Sequence, residues 1–203
     1  MEPARKHDLH GSAPDKSPVA LLLIDFINDF AFDGAQAMFD RALAAAQATA
    51  KLRARAKAAG VPVIYCNDNF GRWRSDFRSL LEHCMRAGAR GRPIAELLRP
   101  DEKDYFVLKP KHSGFHSTTL DVLLAHLGVS TLVLTGVAGN FCVLFTAHDA
   151  YMRDFHVLVP ADCIASLAEE DDRYALGHME KVCKADVRPS AAIDFSRVAT
   201  KTA

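Results

Sequence analysis

The sequence predicts an α/β fold of three layers (α/β/α), in which helices cover both faces of a mainly parallel, Rossmann-like six-stranded sheet. One observation is that short, wholly apolar runs such as Val19–Ile24 recur along the chain, which is typical of strands covered on both faces. The other is that helical segments alternate with these runs, which favours βαβ units with right-handed crossovers.

The first half of the chain contains three predicted strands. The runs VALLLI, VPVIYC and DYFVL predict them at residues 19–24, 61–66 and 104–108. A segment rich in Ala, Arg and Lys predicts a helix over residues 40–59, which Gly60 terminates. Two shorter helical segments are predicted before the third strand, over residues 76–87 and 94–98.

The second half of the chain continues this alternation. A helix is predicted over residues 118–127, closed by Gly128, and the apolar run at 132–134 predicts the fourth strand. A sharp turn follows, and then a helix that carries Cys142 in its first turn and ends near residue 153. The remaining predicted elements are a strand at 156–159, a helix at 168–184 and a weak last strand at 186–188.

Length and composition predict a single domain over residues 18–203, preceded by a flexible polar arm at residues 1–17. Hydrophobic residues make up 49% of the chain and charged residues 25%, as in an ordinary soluble globular protein. The formal net charge at pH 7 is zero. Neither nucleic acid nor a membrane surface is therefore expected as a partner.

Cysteine usage indicates a reducing compartment. The five cysteines are far apart and form no CxxC pair, so neither a disulfide framework nor a zinc site is expected. The polar start of the chain has no apolar core of the signal-peptide type. We therefore expect a cytoplasmic protein.

Three chemically active side chains lie at or just after the ends of predicted strands. Asp25 follows the first strand, Lys109 the third and Cys142 the fourth. Ligands of parallel α/β sheets bind beyond the carboxyl ends of the strands, near the point where the strand order reverses. We therefore expect one cleft that contains a general base, its charge partner and a nucleophile, in that order.

The turn around Cys142 is suited to a nucleophile. A helix N-terminus offers unpaired N–H groups and a partial positive charge, which are expected to lower the pKa of the thiol and to favour the thiolate. The N–H groups of Ala138 and Cys142 are the candidate oxyanion hole. The predicted reaction class is acyl transfer to water through a thioester.

Each residue taken alone has another interpretation. Cys142 is equally compatible with a small buried residue, Asp25 with a turn residue and Lys109 with a solvated charge. The histidines nearest in sequence to these groups are His112, His116 and His148. No pattern in the sequence pairs any of them with the cysteine.

Three segments resemble motifs of the isochorismatase-like cysteine hydrolase superfamily, which includes nicotinamidases and N-carbamoylsarcosine amidase. LLLIDFINDF resembles its first-strand motif with the catalytic Asp, and VLKPKHSGFHSTTLDVLL resembles its Lys-x-x-x-Ser-[Ala/Gly]-Phe motif. LVLTGVAGNFCVLFTAHDAYMRDFHVLVPADC resembles its nucleophile motif. The resemblance spans residues 18–190 in the family's order.

The resemblance implies a role for each of the three residues. Asp25 becomes the base, Lys109 its charged partner and Cys142 the nucleophile. It also implies a cis peptide bond between Val137 and Ala138, which turns the Ala138 N–H towards the oxyanion. A homo-oligomer that acts on a small-molecule substrate is expected on the same ground.

Two departures from the family pattern bear on metal and substrate. Nicotinamidases of this family hold a metal with an Asp-x-His pattern and a second His soon after, whereas residues 31–69 contain no histidine. No metal and no other cofactor is therefore expected.

Isochorismatases that cleave a vinyl ether commonly lack the cysteine, so Cys142 favours an amide, ureido or carbamoyl C–N bond. Vinyl ether hydrolysis with Cys142 as a bystander, and a non-catalytic binding or thiol-sensing module, are the alternatives.

Aromatic and polar residues near the predicted active site are candidate walls of a substrate pocket. Aromatic walls with an arginine suit a small planar substrate that carries a carboxylate. The candidate residues are Phe30, Asn67, Trp73, Arg74, Phe115 and Phe141. A salt bridge from Arg74 to Asp76 and core packing of Phe141 are the alternative interpretations.

Overall fold

The structure is a computed structural model that describes residues 16–71 and 76–200. Its strands are β1 (Val19–Ile24), β2 (Val63–Asp68), β3 (Tyr105–Lys109), β4 (Thr131–Val137), β5 (His156–Leu158) and β6 (Ile164–Ala165). Its α-helices are α1 (Ala35–Ala58), α2 (Phe77–Cys84), α3 (Arg92–Leu97), α4 (Leu120–Leu127), α5 (Leu144–Tyr151), α6 (Glu169–Val182) and α7 (Phe195–Thr200).

The described strands form one parallel sheet in the order β3-β2-β1-β4-β5, and β6 pairs with β4 beyond the end of β5. The chain moves outwards from β1 to β3, then returns to the other side of β1 for β4 and β5. The strand order therefore reverses between β1 and β4, where α/β sheets bind their ligands. The predicted α/β fold is confirmed.

Two apolar cores, one on each face of the sheet, explain the wholly apolar β1. Its odd-numbered residues pack in the core that contains α1, α2, α3 and α7. Its even-numbered residues pack in the core that contains α4, α5 and α6. Because successive side chains of a strand point to opposite faces, every residue of β1 requires an apolar side chain.

Several elements extend beyond the bounds that apolar patterning predicts. β4 continues through Thr135, whose hydroxyl donates a hydrogen bond of 2.9 Å to the Leu22 carbonyl. β2 continues to Asp68, which pairs with Lys109 at the end of β3. α1 begins at Ala35, directly after Gly34 with φ +82°, five residues before the predicted start. Backbone pairing and local turns set these ends, and neither depends on apolar side chains.

The predicted last strand at residues 186–188 is wrong. Asp186 forms only an isolated parallel bridge with Leu158, and its carboxylate accepts hydrogen bonds from Arg188 of 3.1 and 2.8 Å, which turn the chain locally. The sixth strand is instead the two-residue β6, which pairs with Gly136 and Val137. A strand of two residues is too short to produce a period in the sequence.

The start of the described chain is attached to the domain. The Ser17 N–H donates a hydrogen bond of 3.0 Å to the Leu127 carbonyl at the end of α4. Residues 1–15, which form most of the predicted arm, lie outside the described residues. Within residues 16–71 and 76–200, the structure contains no helix with the length and apolar character needed to cross a membrane.

Gly136 is the position in β4 where a side chain is least tolerable. Its φ is +140°, and a Cβ at this position would lie 2.1 Å from the Ile24 carbonyl oxygen. We expect Gly136→Ala to lower the free energy of unfolding by more than about 2 kcal/mol, measured by urea denaturation. Gly177→Ala is the control, because Gly177 lies in α6 with open space around it and alanine favours a helix by about 0.5–1 kcal/mol. Equal stability of the two variants would contradict the packing at β4.

Candidate active site

Four polar side chains converge beyond the carboxyl ends of adjacent strands. Asp25 follows β1, Asp68 ends β2, Lys109 ends β3, and Cys142 lies in the turn after β4. The sheet order brings the first and the last of these to the two strands between which the strand order reverses. The structure therefore brings together the three residues that the sequence predicts for catalysis.

Lys109 joins β3 to the centre of the sheet. Neighbouring strands lie about 4.8 Å apart, so its side chain has to cross the end of β2 to reach Asp25. Its Nζ lies 2.8 Å from Asp25 Oδ2 and 3.6 Å from Asp68 Oδ2. The side chain is 0% exposed. The burial of an ammonium group is tolerated only with such partners.

The Asp25 carboxylate is held at both oxygens. Oδ2 accepts from Lys109, and Oδ1 accepts a hydrogen bond of 2.6 Å from the Asp68 N–H. The Asp25 backbone has φ +52°, a left-handed conformation that few non-glycine residues adopt. Its own N–H still donates to the Cys66 carbonyl at 3.1 Å. The carboxylate is thereby fixed at the point where β1 stops.

Cys142 lies in a π-helical turn, Gly139–Val143, which precedes α5. The prediction that it occupies the first turn of an α-helix is corrected here. Its Sγ accepts a hydrogen bond of 3.4 Å from Lys109 Nζ, and the thiol also interacts electrostatically with the Asp25 carboxylate. The Val137–Ala138 peptide bond just before the turn is cis. The thiol therefore contacts Lys109 directly and is under the electrostatic influence of Asp25.

Hydrogen bonds and close packing hold the Cys142 turn in place. The Asn140 N–H donates to Ser166 Oγ at 3.0 Å, just after β6. The Thr146 hydroxyl donates to the Cys142 carbonyl at 2.6 Å. A Cβ at Gly139 would lie 2.7 Å from the Asp172 carboxylate. The turn is therefore in contact with β6, α5 and α6, and it accommodates no side chain at Gly139.

Burial and the neighbouring charges shift the pKa values of all three titratable groups in the site. Burial raises the pKa of Asp25 in spite of the neighbouring ammonium. Burial by itself lowers the pKa of Lys109, but Asp25 and Cys142 together raise it above its ordinary value. Burial and the Asp25 carboxylate raise the pKa of the Cys142 thiol, and Lys109 opposes them only in part.

The expectation of a lowered thiol pKa is therefore wrong for the resting site. A single ammonium faces two groups that can carry a negative charge, and it stabilises one anion at a time. The carboxylate of Asp25 is the nearer of the two, at 2.8 Å against 3.4 Å for Sγ, and the raised pKa of the thiol favours its protonated form. The raised pKa of Asp25 makes its carboxylate a better acceptor for the thiol proton.

Three of the predicted pocket residues serve the packing of the fold. Phe30 is fully buried, with its ring edge-on to Phe39 at 5.7 Å between centroids. Asn67 is fully buried, and its Nδ2 donates to the Ile27 carbonyl at 2.8 Å. Phe115 is buried in the core on the α4 face, beneath the Arg153 guanidinium. We therefore correct their assignment as pocket walls, because their side chains are enclosed by protein.

The remaining predicted pocket residues are Phe141, Trp73 and Arg74. Phe141 is 48% exposed and directly precedes Cys142, so it remains a candidate for substrate contact. Trp73 and Arg74 lie outside the described residues.

A cavity of ≈ 310 Å³ adjoins the buried ion pair at Asp68. Phe32 and Phe70 supply its aromatic walls, and His83 Nε2 lies 2.7 Å from Asp29 Oδ2 at its edge. Sequence reasoning missed Phe32 and His83 as lining residues. Phe32 lies close after β1, which is a usable signal, whereas α2 brings His83 to the cavity from a distant part of the chain.

Among the described residues, no group of three or more His, Cys, Asp or Glu side chains is arranged to hold a metal ion.

Comparisons with known proteins show which family the chain belongs to. The family model of the isochorismatase domain matches residues 19–191. The isochorismatase family protein YaaI of Bacillus subtilis (strain 168) is 40% identical over 172 residues, which cover 85% of this chain and 94% of YaaI. The ureidoacrylate amidohydrolase RutB of Methylobacterium radiotolerans is 30% identical over 206 residues, with 88% of this chain and 78% of that protein covered.

A solved structure extends the similarity to the fold. The N-carbamoylsarcosine amidase of Thermoplasma acidophilum superimposes with a TM-score of 0.65 at 26% identity, covering 87% of this chain and 98% of that chain. The residues that the family model matches span all six strands and the positions of Asp25, Lys109 and Cys142. The chain therefore belongs to the isochorismatase family of hydrolases.

Proposed function

We propose that the protein is a metal-independent cysteine hydrolase that cleaves an amide, ureido or carbamoyl C–N bond of a small molecule through a thioester at Cys142. The observation that carries the proposal is the position of one buried ammonium. Lys109 Nζ lies 2.8 Å from the Asp25 carboxylate and 3.4 Å from Cys142 Sγ. The proposed cation thus contacts both the proposed base and the proposed nucleophile before any substrate binds.

In the first step, the Cys142 thiol gives its proton to Asp25 while Sγ attacks the substrate carbonyl carbon. Lys109 stabilises the negative charge that develops on the sulfur as the proton leaves, before that charge passes to the substrate oxygen, and it regains the carboxylate once Asp25 has given up the proton. Asp25 then passes the proton to the departing nitrogen, which leaves as a neutral amine or ammonia. The N–H groups of Ala138 and Cys142 are the proposed donors to the oxyanion of the tetrahedral intermediate.

Two observations favour a C–N bond and a mechanism without a metal. Among the similar proteins are a ureidoacrylate amidohydrolase and an N-carbamoylsarcosine amidase. Residues 31–69 contain no histidine, so the Asp-x-His metal pattern of nicotinamidases has no equivalent there. The cavity of ≈ 310 Å³ beside Asp68 suits a small substrate, and the exposed Phe141 ring is a proposed contact for it.

The nucleophile is tested by removal of the thiol. We expect Cys142→Ala to lower kcat/KM on the best compound of an amide, ureido and carbamoyl panel by at least about 10³-fold, measured as amine or ammonia release. Added hydroxylamine is expected to divert the wild-type product to a hydroxamate, because it intercepts the thioester. Cys183→Ala, at a buried cysteine outside the site, serves as control. Undiminished hydrolysis by Cys142→Ala would contradict the proposal.

The proposed proton transfer from Cys142 to Asp25 predicts that Asp25→Asn makes the thiol easier to label but abolishes hydrolysis. Asp25→Asn removes a carboxylate that raises the pKa of the Cys142 thiol, while Lys109 remains. We expect the midpoint of iodoacetamide labelling at Cys142 to lie above the ordinary value of about 8.5 in the wild type and to fall in Asp25→Asn, while hydrolysis is lost.

Asp68→Asn is the matched control for this effect. It changes a carboxylate that also approaches Lys109, at 3.6 Å, and a smaller shift of the labelling midpoint is expected. An unchanged or higher midpoint in Asp25→Asn, or hydrolysis that survives the substitution, would show that Asp25 does not exchange a proton with Cys142.

A further inference from the structure

His112 is a further titratable side chain beside the nucleophile, in addition to Asp25 and Lys109. Its Nδ1 lies 4.0 Å from Cys142 Sγ, and the imidazole is exposed. Asp25 and Lys109 are 5% and 0% exposed. The sulfur is therefore approached by a buried ion pair from the enclosed side and by an imidazole from the solvent side.

Two aromatic rings hold the imidazole in this position. The ring centroids of Phe141 and Phe145 lie 5.7 and 5.3 Å from that of His112. These two phenylalanines are four residues apart, on the chain that carries Cys142 into α5, and are 48% and 50% exposed. They offer the imidazole apolar contacts that an ordinary surface histidine lacks.

The loop that carries His112 is hydrogen-bonded to α5, the helix that directly follows the turn of the nucleophile. The Gly114 N–H donates to Thr146 Oγ1 at 3.0 Å, and the Thr146 hydroxyl donates to the Cys142 carbonyl at 2.6 Å. A Cβ at Gly114 would lie 2.7 Å from Cys66 Sγ, so the loop approaches the sheet as closely as glycine permits. The distance between His112 and Cys142 is therefore set by hydrogen bonds and close packing.

We propose that His112 is the general base for hydrolysis of the Cys142 thioester, a proposal that rests on the proposed function. Water adds to the thioester carbon while one of its protons moves to Nδ1 of His112. The carbon–sulfur bond then breaks, and its electron pair remains on Sγ beside the Lys109 ammonium. The imidazolium returns the proton to the sulfur, so that one thioester and one water yield a carboxylic or carbamic acid and the free thiol.

Asp25 and His112 are assigned to different steps because they differ in their access to solvent. Once an acyl group is attached to Sγ, the buried Asp25 lies behind it, and the attacking water has to arrive from the exposed side. His112 is on that side, within 4.0 Å of the sulfur. Imidazole is the side chain best suited to accept and return a proton near neutral pH. Asp25 thus serves the first step, in which the proton comes from the thiol, and His112 serves the second.

The test separates the two steps with p-nitrophenyl acetate, whose leaving group departs without a proton. A burst of p-nitrophenolate measures acetylation of Cys142, and the steady-state rate measures hydrolysis of the acetyl thioester. His112→Phe keeps a ring between the two phenylalanines without nitrogen, and His112→Asn keeps polar atoms without a titrating group. In both, we expect the burst rate to stay within about threefold and the steady-state rate to fall about 10²-fold. Acetyl-Cys142 should accumulate in the mass spectrum of the intact protein.

The possible outcomes are distinguishable. An unchanged steady-state rate in either variant, or a burst that falls together with it, would overturn the role of His112 while the proposed function stands. A wild-type protein without a burst that depends on Cys142 would contradict the proposed function and this proposal with it. His116→Phe, at an exposed position of the same loop, is the control and should behave as the wild type.

Discussion

The arrangement at the end of the sheet depends on one buried charge, the ammonium of Lys109. It originates on β3, passes the end of β2 and reaches the Asp25 carboxylate and the Cys142 sulfur beyond β1 and β4. Only a long cationic side chain spans that distance, and only the sheet order β3-β2-β1-β4 makes the crossing possible. The fold and the proposed chemistry therefore share one constraint. A buried ammonium requires an anion, which is the Asp25 carboxylate in the resting site, and in the proposed reaction the same ammonium stabilises the charge that develops on the sulfur during proton transfer.

This constraint explains why the pKa of the resting thiol is raised. A thiolate stabilised in advance would compete with Asp25 for the same ammonium inside an enclosed site. The structure instead raises the pKa of both Asp25 and Cys142 through burial, which keeps the proton available for transfer within the site. In such a site, reactivity depends on the ease of moving a proton from sulfur to carboxylate when a carbonyl group is present, and much less on a standing population of thiolate.

The sequence predicts the sheet, both helical layers and the three converging residues because these features depend on local patterns. Wholly apolar runs mark the buried strands, and the residues that follow them lie at the ligand-binding edge of a parallel sheet. Features that arise from tertiary contact were missed. β6 has two residues and no period, and Phe30 and Phe115 are near the motifs but point into the cores. The contact between His112 and Cys142 depends on the Gly114–Thr146 hydrogen bond, which no spacing in the sequence reveals.

The most direct test of the central role of Lys109 is a double-mutant cycle of unfolding free energies with Lys109→Met and Asp25→Asn, measured by urea denaturation at neutral pH. Lys109→Met leaves a buried carboxylate without its cation, and we expect it to cost about 3–5 kcal/mol. The double variant removes both charges, so it should recover a large part of that loss. A cost of Lys109→Met equal to that of the double variant would contradict the account, because Asp25 would then not depend on the ammonium.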